Sequence, residues 1–183
     1  VKAKKYLDKA LFLCRQDGLD VSAPAFGVMI ETPASALQVD SFASVADFFS
    51  VGSNDLVQYL LAVDRNNSRV AGLFDNFNPV VLKVLQKIVD DSHKNNKHVS
   101  VCGELAADPM GAVLLVAMGY DSLSMSAVCL DKIKWVFSKV SLADCQVLLA
   151  EALMCKHGGA VSALLKRFFQ RNNMGHLVGL VED

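Results

Sequence analysis

The chain has 183 residues, 52% of them apolar, and a formal net charge of −1, which is enough for one domain or a piece of a larger one with a substantial core. The near-neutral charge argues against nucleic-acid binding by bulk electrostatics, and no run reaches the roughly 18 consecutive apolar residues of a membrane helix. The five cysteines, Cys14, Cys102, Cys129, Cys145 and Cys155, are odd in number and lack CxxC spacing. They point to free thiols in a reducing cytoplasm, and the basic first residues lack a signal-peptide cleavage site.

Residues 4–16 are expected to form a helix, with Leu7, Ala10, Leu11 and Cys14 on one face, Lys4, Lys5, Lys9 and Arg15 mostly off it, and Gly18 as the stop. Residues 25–30 are continuously apolar, as in a parallel strand covered on both faces, and end at Glu31. Thr32 as cap and Pro33 as first position then open a helix to about Val45. A second strand, 48–51, turns on Gly52-Ser53-Asn54-Asp55 into a helix in which Leu56, Tyr59, Leu60 and Val63 recur at helical spacing. Asn54 or Asp55 is the expected N-cap.

Beyond Arg65 a polar loop runs through Asn76, and Asn78-Pro79 opens a helix with Val81, Leu82, Leu85, Ile88 and Val89 inward. Residues 93–97 read as its polar exit. Residues 99–101 form the third strand, followed by Cys102-Gly103-Glu104; Asp108-Pro109 caps a helix that stops at Gly119. A fourth strand at 121–124 leads to a helix from Ser126 toward Phe137. Ser141 and Asp144 have capping-box spacing before another helix, a last helix covers about 160–170, and the tail after Asn172 is expected to fray.

Strand, short loop and helix, four times over, mean right-handed βαβ units on a parallel sheet. No dinucleotide or Walker fingerprint occurs. Glu31, Asn54, Asp55 and Cys102 all fall just past the C-terminal end of a strand, where (β/α)8 barrels keep their chemistry. Such a barrel needs eight units, so the expected class is α/β of the TIM-barrel type with half of the units present.

Glu31 closes a buried strand, a costly place for an unpaired carboxylate, so it is either a paired or solvent-reaching acid or a metal ligand. Asp55 is either a helix cap or a ligand. Together they offer oxygens with open positions, a set suited to Mg²⁺ shared with a phosphate or carboxylate substrate. The turn before the second helix points backbone N–H groups at an anion, and Arg65 supplies a positive fork, unless it is a surface arginine as Arg69 is expected to be. Cys102 differs from the other cysteines in its flanking Gly103, which exposes the thiol for proton exchange. His93, His98, His157 and His176 form no metal-spaced pair.

As a set, IETPAS (30–35), VGSNDLVQYLLAVDRNN (51–67), VCGELAADPMG (101–111) and MGYDSLSMS (118–126) resemble enzyme I, the phosphoenolpyruvate–protein phosphotransferase of bacterial sugar and nitrogen phosphotransferase chains. DPMG, MGY and the terminal NNMGHLVGL are nearer the nitrogen-related branch. The resemblance implies that residues 1–183 are one partial domain, about the last four βα units of the barrel followed by C-terminal helices. It implies Mg²⁺ on Glu31 and Asp55, the phosphoryl group of phosphoenolpyruvate on Asn54 and Arg65, and Cys102 as the acid that protonates the enolate of pyruvate. It also implies a histidine-containing phosphocarrier protein as partner and a cytoplasmic homodimer joined through the barrel.

Two departures are Ser53, where Thr is common, and Ala107, where Gly is common. The family's phosphoacceptor histidine and the arginines of its early strands have no counterpart here, so the chain alone is expected to be inactive. The alternatives are a Mg²⁺-dependent pyruvate-type lyase or aldolase, and a non-catalytic dimerisation module.

Overall fold

The computed structural model describes residues 2–179. Four strands form one sheet in the order β1 (Gly27–Ile30), β2 (Phe48–Gly52), β3 (His98–Cys102), β4 (Ser122–Ser124), and every neighbouring pair is parallel. Helices fill each crossover, which is the only short way to bring one parallel strand beside the next. The first crossover holds α2 (Pro33–Ala36) and α3 (Val39–Ala43), the second α4 (Ser53–Leu61) and α5 (Pro79–Lys94), the third α6 (Glu104–Ala107) and α7 (Pro109–Met118). Before the sheet lies α1 (Lys2–Gln16); after it come α8 (Ala127–Phe137), α9 (Leu142–Met154) and α10 (Gly158–Arg171).

The core forms where the strands' apolar runs meet the apolar stripes of the helices. Ile30, Phe49, Val51, Val99 and Val101 are fully buried, and α5 covers them with Val81, Leu82, Leu85 and Ile88. Helix α7 is apolar all round and buries all but two of its residues, Met110 and Val116, because α9 packs on the side turned away from the sheet layer. Gly111 lets it approach α6: a Cβ there would overlap the Leu105 carbonyl. Gly119, at φ +96°, ends α7 in the left-handed conformation that glycine tolerates best.

Several elements depart from the expected ones. The single helix after Pro33 is two short helices, because the chain turns at Leu37-Gln38. The helix after β2 begins at Ser53 with Gly52 at its cap, so Asn54 and Asp55 lie inside the first turn and neither is the N-cap. Cys102 is the last residue of β3, paired with Gly52 and Ser124, rather than a residue beyond the strand. Helix α6 and the 3₁₀ turn Ala71–Leu73 lie where loop was expected, and α5 continues through the expected polar exit to Lys94.

The segment expected to fray packs down instead. Met174 is fully buried and Gly175–Val178 form a 3₁₀ turn against α10; the last part of the expected tail, residues 180–183, lies outside the described residues. Conversely, α1 buries none of its residues: Leu7, Leu11 and Cys14 are half-exposed and Ala10 is exposed, since no element of the described chain covers that face.

Asp121 ties the two edge units together. Its backbone N–H donates to Val99 O, its Oδ2 accepts the Val99 N–H at 2.7 Å, and the same oxygen lies 3.1 Å from His93 Nε2. Burial opposes ionisation of Asp121, yet the Val99 N–H and the His93 ring outweigh it and hold the carboxyl below its ordinary value. A depressed carboxyl contributes stability above its unfolded pKa, near 3.9, and loses it as pH falls through the lower folded value. Asp121→Asn is therefore expected to remove about 1 kcal/mol at neutral pH, with the difference from the parent shrinking as the pH falls below the ordinary carboxylate range, as read by urea unfolding across pH.

Candidate functional site

The parallel register sets the C-terminal ends of β1, β2 and β3 level with one another: Ile30 pairs with Val51, and Gly52 with Cys102. Glu31, one residue past β1, thus falls beside Gly52, where β2 turns into α4. A Cβ at Gly52 would stand 3.1 Å from Glu31 Cβ and 3.2 Å from its Oε2. Absence of a side chain at that corner is what lets the carboxylate lie over the head of α4.

The start of α4 is stitched to the end of β3 by side chains rather than by a cap. Ser53, fully buried, donates from Oγ to the Cys102 carbonyl at 2.8 Å. Asn54 Oδ1 accepts the Glu104 N–H at 3.1 Å, so the residue expected to face a ligand also fixes the turn after β3. The Cys102 thiol, half-buried, donates weakly to the Val51 carbonyl at 3.5 Å. Gly103 completes the turn at φ +116°, ψ −176°, a conformation essentially restricted to glycine; a Cβ there would overlap Ser53 Oγ.

Arg65 returns to this rim from the other end of α4. The helix ends at Ala62 in the left-handed conformation, φ 53°, and the reversed chain is fixed by the Arg65 N–H donating to Gln58 Oε1 at 3.2 Å. The guanidinium Nη2 then lies 3.8 Å from Asp55 Oδ1 in the first turn of the helix, an ion pair without a hydrogen bond. Nη1 is buried and has no hydrogen-bond partner. The side chain as a whole is one-third exposed, so the guanidinium meets solvent on one side and leaves Nη1 without an acceptor on the other.

Of the residues singled out by sequence, Asp55 and Arg65 meet directly, Asn54 and Cys102 belong to one stitched corner, and Glu31 stands against Gly52 beside it. No group of three His, Cys, Asp or Glu gathers as a metal cage among the described residues, so the donors at this rim are two carboxylates. Two carboxylates and open positions suit Mg²⁺, which keeps waters and takes substrate oxygens, better than Zn²⁺, which requires an N/S cage. Ser53 was noted only as a departure from the family pattern and Gln58 was not singled out: a small polar residue and a helix-surface amide give no signal until their partners, 49 and 7 residues on, are known.

Of the other four thiols, expected to be inert core residues, only Cys145 is buried; Cys14, Cys129 and Cys155 are half-buried, as Cys102 is. Cys145 is buried in α9, and burial, with Asp144 beside it, pushes its thiol up to about 11. A cleft of about 590 Å³ between α9 and α10, lined among others by Asp144, Glu151, Arg167 and Arg171, includes none of the five rim residues.

The family model described as "PEP-utilising enzyme, PEP-binding domain" matches residues 2–142, from α1 to the start of α9. The chain belongs to this family. This PEP-binding domain is 42% identical over 142 residues to the phosphoenolpyruvate-protein phosphotransferase of Buchnera aphidicola, covering 78% of the chain and 25% of that relative. It is 35% identical over 161 residues to the phosphoenolpyruvate-dependent phosphotransferase system protein of Salmonella typhimurium, covering 88% of the chain and 22% of the relative. It is also 36% identical over 178 residues to multiphosphoryl transfer protein 1 of Escherichia coli, covering 97% and 21%. The chain thus spans about a quarter of the length of these relatives, and the match to the last includes α9 and α10.

Because Gly103 combines a glycine-only backbone with a side-chain collision, Gly103→Ala is expected to lower stability by about 2–3 kcal/mol. Chemical denaturation checks this. Ser53→Ala, which only removes the stitch, is expected to lose about 1 kcal/mol.

Proposed function

We propose that this PEP-binding domain is the substrate- and metal-binding part of a phosphoenolpyruvate–protein phosphotransferase. The observation that carries the reading is Arg65: a guanidinium turned back to the head of α4, with one nitrogen buried and unpartnered and the other beside Asp55. Family membership and the names of the relatives support the choice of substrate. In this reading the domain is half of a (β/α)8 barrel, and the outer edges of β1 and β4 adjoin the strands that would complete it. The assembled protein is a cytoplasmic homodimer whose phosphoryl group passes to a protein histidine and on to a histidine-containing phosphocarrier protein.

Each residue then has a task. Arg65 and Asn54 hold the phosphoryl oxygens, with the free N–H groups at the head of α4 beneath them. Glu31 and Asp55 would hold Mg²⁺, which supplies charge neutralisation on the phosphoryl and carboxylate oxygens. Asp55 also keeps the Arg65 fork aimed at the rim while the site is empty. When the phosphoryl group leaves the enol oxygen, the remaining enolate takes a proton from the Cys102 thiol onto its terminal carbon, giving pyruvate and a thiolate; the reverse reaction returns that proton to sulfur. Gly103 keeps room open for Ser53 and Asn54. The acceptor histidine is not among the residues of this chain, so phosphoryl transfer belongs to the longer protein and binding to this domain.

Calorimetric titration with phosphoenolpyruvate, with and without Mg²⁺, tests the reading. Binding is expected to require Mg²⁺ and to weaken by more than about tenfold in Arg65→Ala, as loss of a charge-assisted bond demands. Cys102→Ala is expected to bind as the parent does, because the thiol acts after the phosphoryl group has left. Binding that Arg65→Ala leaves intact would sink the proposal. A domain that self-associates tightly yet binds no phosphoenolpyruvate would favour a dimerisation module.

A further inference from the structure

The segment between Arg65 and α5 is bonded turn to turn as far as Phe74, and Asp75 follows directly and opens one further turn before α5. Backbone N–H groups of Asn67, Val70, Ala71, Leu73, Phe74 and Asn78 donate in turn to the carbonyls of Asp64, Asn67, Asn67, Val70, Ala71 and Asp75, at 2.8–3.2 Å. Such a chain of bonds moves as a unit, so its two ends decide where it sits. One end is Arg65, held by Gln58. The other is Asp75, and its surroundings are unusual.

Asp75 Oδ1 accepts the Phe77 N–H at 2.9 Å, closing an Asx turn. That leaves Oδ2 free, and this oxygen is packed onto Gly158, the first residue of the 14-residue helix α10: a Cβ at position 158 would overlap it. Gly158 is buried despite its place at a helix end, and the carboxylate rests where the helix dipole is positive. The neighbouring Asn76 Oδ1 is buried as well and has no hydrogen-bond partner.

We infer that Asp75, seated on Gly158 at the head of α10, is a positioning residue for Arg65. The inference rests on the reading that Arg65 grips the phosphoryl group of phosphoenolpyruvate. It adds that the C-terminal helix pair, which lies mostly beyond the matched PEP-binding region, sets where that arginine stands. A methyl group at 158 would lift Asp75 off α10 and, through the run of turns, slacken Arg65 without touching the rim. Truncating Asp75 would slacken it too, but would remove the oxygen that the methyl group strikes.

The test compares the chain with Asp75→Ala, Gly158→Ala and the double variant, by amide hydrogen exchange and by calorimetric titration with phosphoenolpyruvate and Mg²⁺. Each single variant is expected to speed exchange of the Arg65 amide and of residues 67–74 by about tenfold while the amides of β2 and β3 keep their protection. Phosphoenolpyruvate affinity is expected to fall by about fivefold or more through misplacement alone. The double variant is expected to be no worse than Asp75→Ala by itself, because the overlap is gone. Parent-like exchange in the single variants, or effects that add in the double, would overturn the inference. So would fast exchange with unchanged affinity. Should Gly158→Ala fail to fold, Asp75→Ala alone carries both readouts. A parent chain that binds no phosphoenolpyruvate would overturn the functional reading instead, and exchange at the Arg65 amide would still decide whether Asp75 holds it in place.

Discussion

The structure depends on one geometric constraint: β1, β2 and β3 are parallel and end level with one another. A parallel register carries every strand's C-terminus to the same side of the sheet, so the residues that leave the strands gather on one rim whatever their distance in sequence. Glu31, the Gly52–Asp55 turn and Cys102 are neighbours for that reason. The hydrogen bonds from Ser53 to the Cys102 carbonyl and from the Glu104 amide to Asn54 then lock the rim at side-chain resolution. Were β2 to slip by one residue, Phe49 and Val51 would face away from the core they fill, so packing and site share a single register.

Two kinds of residue make the rim usable. Glycines hold room open: Gly52 for the Glu31 carboxylate, Gly103 for Ser53 and Asn54. Arg65 supplies charge, and it reaches the rim only because α4 stops in a left-handed residue at Ala62 and the chain doubles back along it. The result is a rim carrying two carboxylates, a guanidinium with one unpartnered nitrogen, helix N–H groups and a thiol. The match to the PEP-binding domain family covers the stretch of chain that forms this rim.

Most of the architecture was legible in the sequence because the signals were local. Continuous apolar runs marked buried parallel strands, Asn78-Pro79 and Asp108-Pro109 marked helix starts, and Gly119 marked a helix end. What was not legible depended on partners distant along the chain. Asn54 looks like a helix cap until Glu104, 50 residues on, takes its side-chain oxygen. Residues 174–178 look like a frayed tail until α10 gives Met174 a place to bury. The face of α1 failed in the opposite direction: its amphipathic spacing is real, but spacing names no partner, and the described chain offers none.

The separations along the chain also bear on how the rim comes into being. The backbone ties of the outer strand pairs close loops of 21 and 22 residues, Phe26 to Asp47 and Val99 to Asp121, whereas the Ser53–Cys102 tie closes one of 49. Joining β2 to β3 therefore carries the largest loss of chain entropy in the sheet. The two outer pairs, each a parallel βαβ unit, close the shorter loops. The rim draws its residues from both units, Gly52–Asp55 from one and Cys102–Glu104 from the other, so it rests on the strand pair that costs the chain most to close.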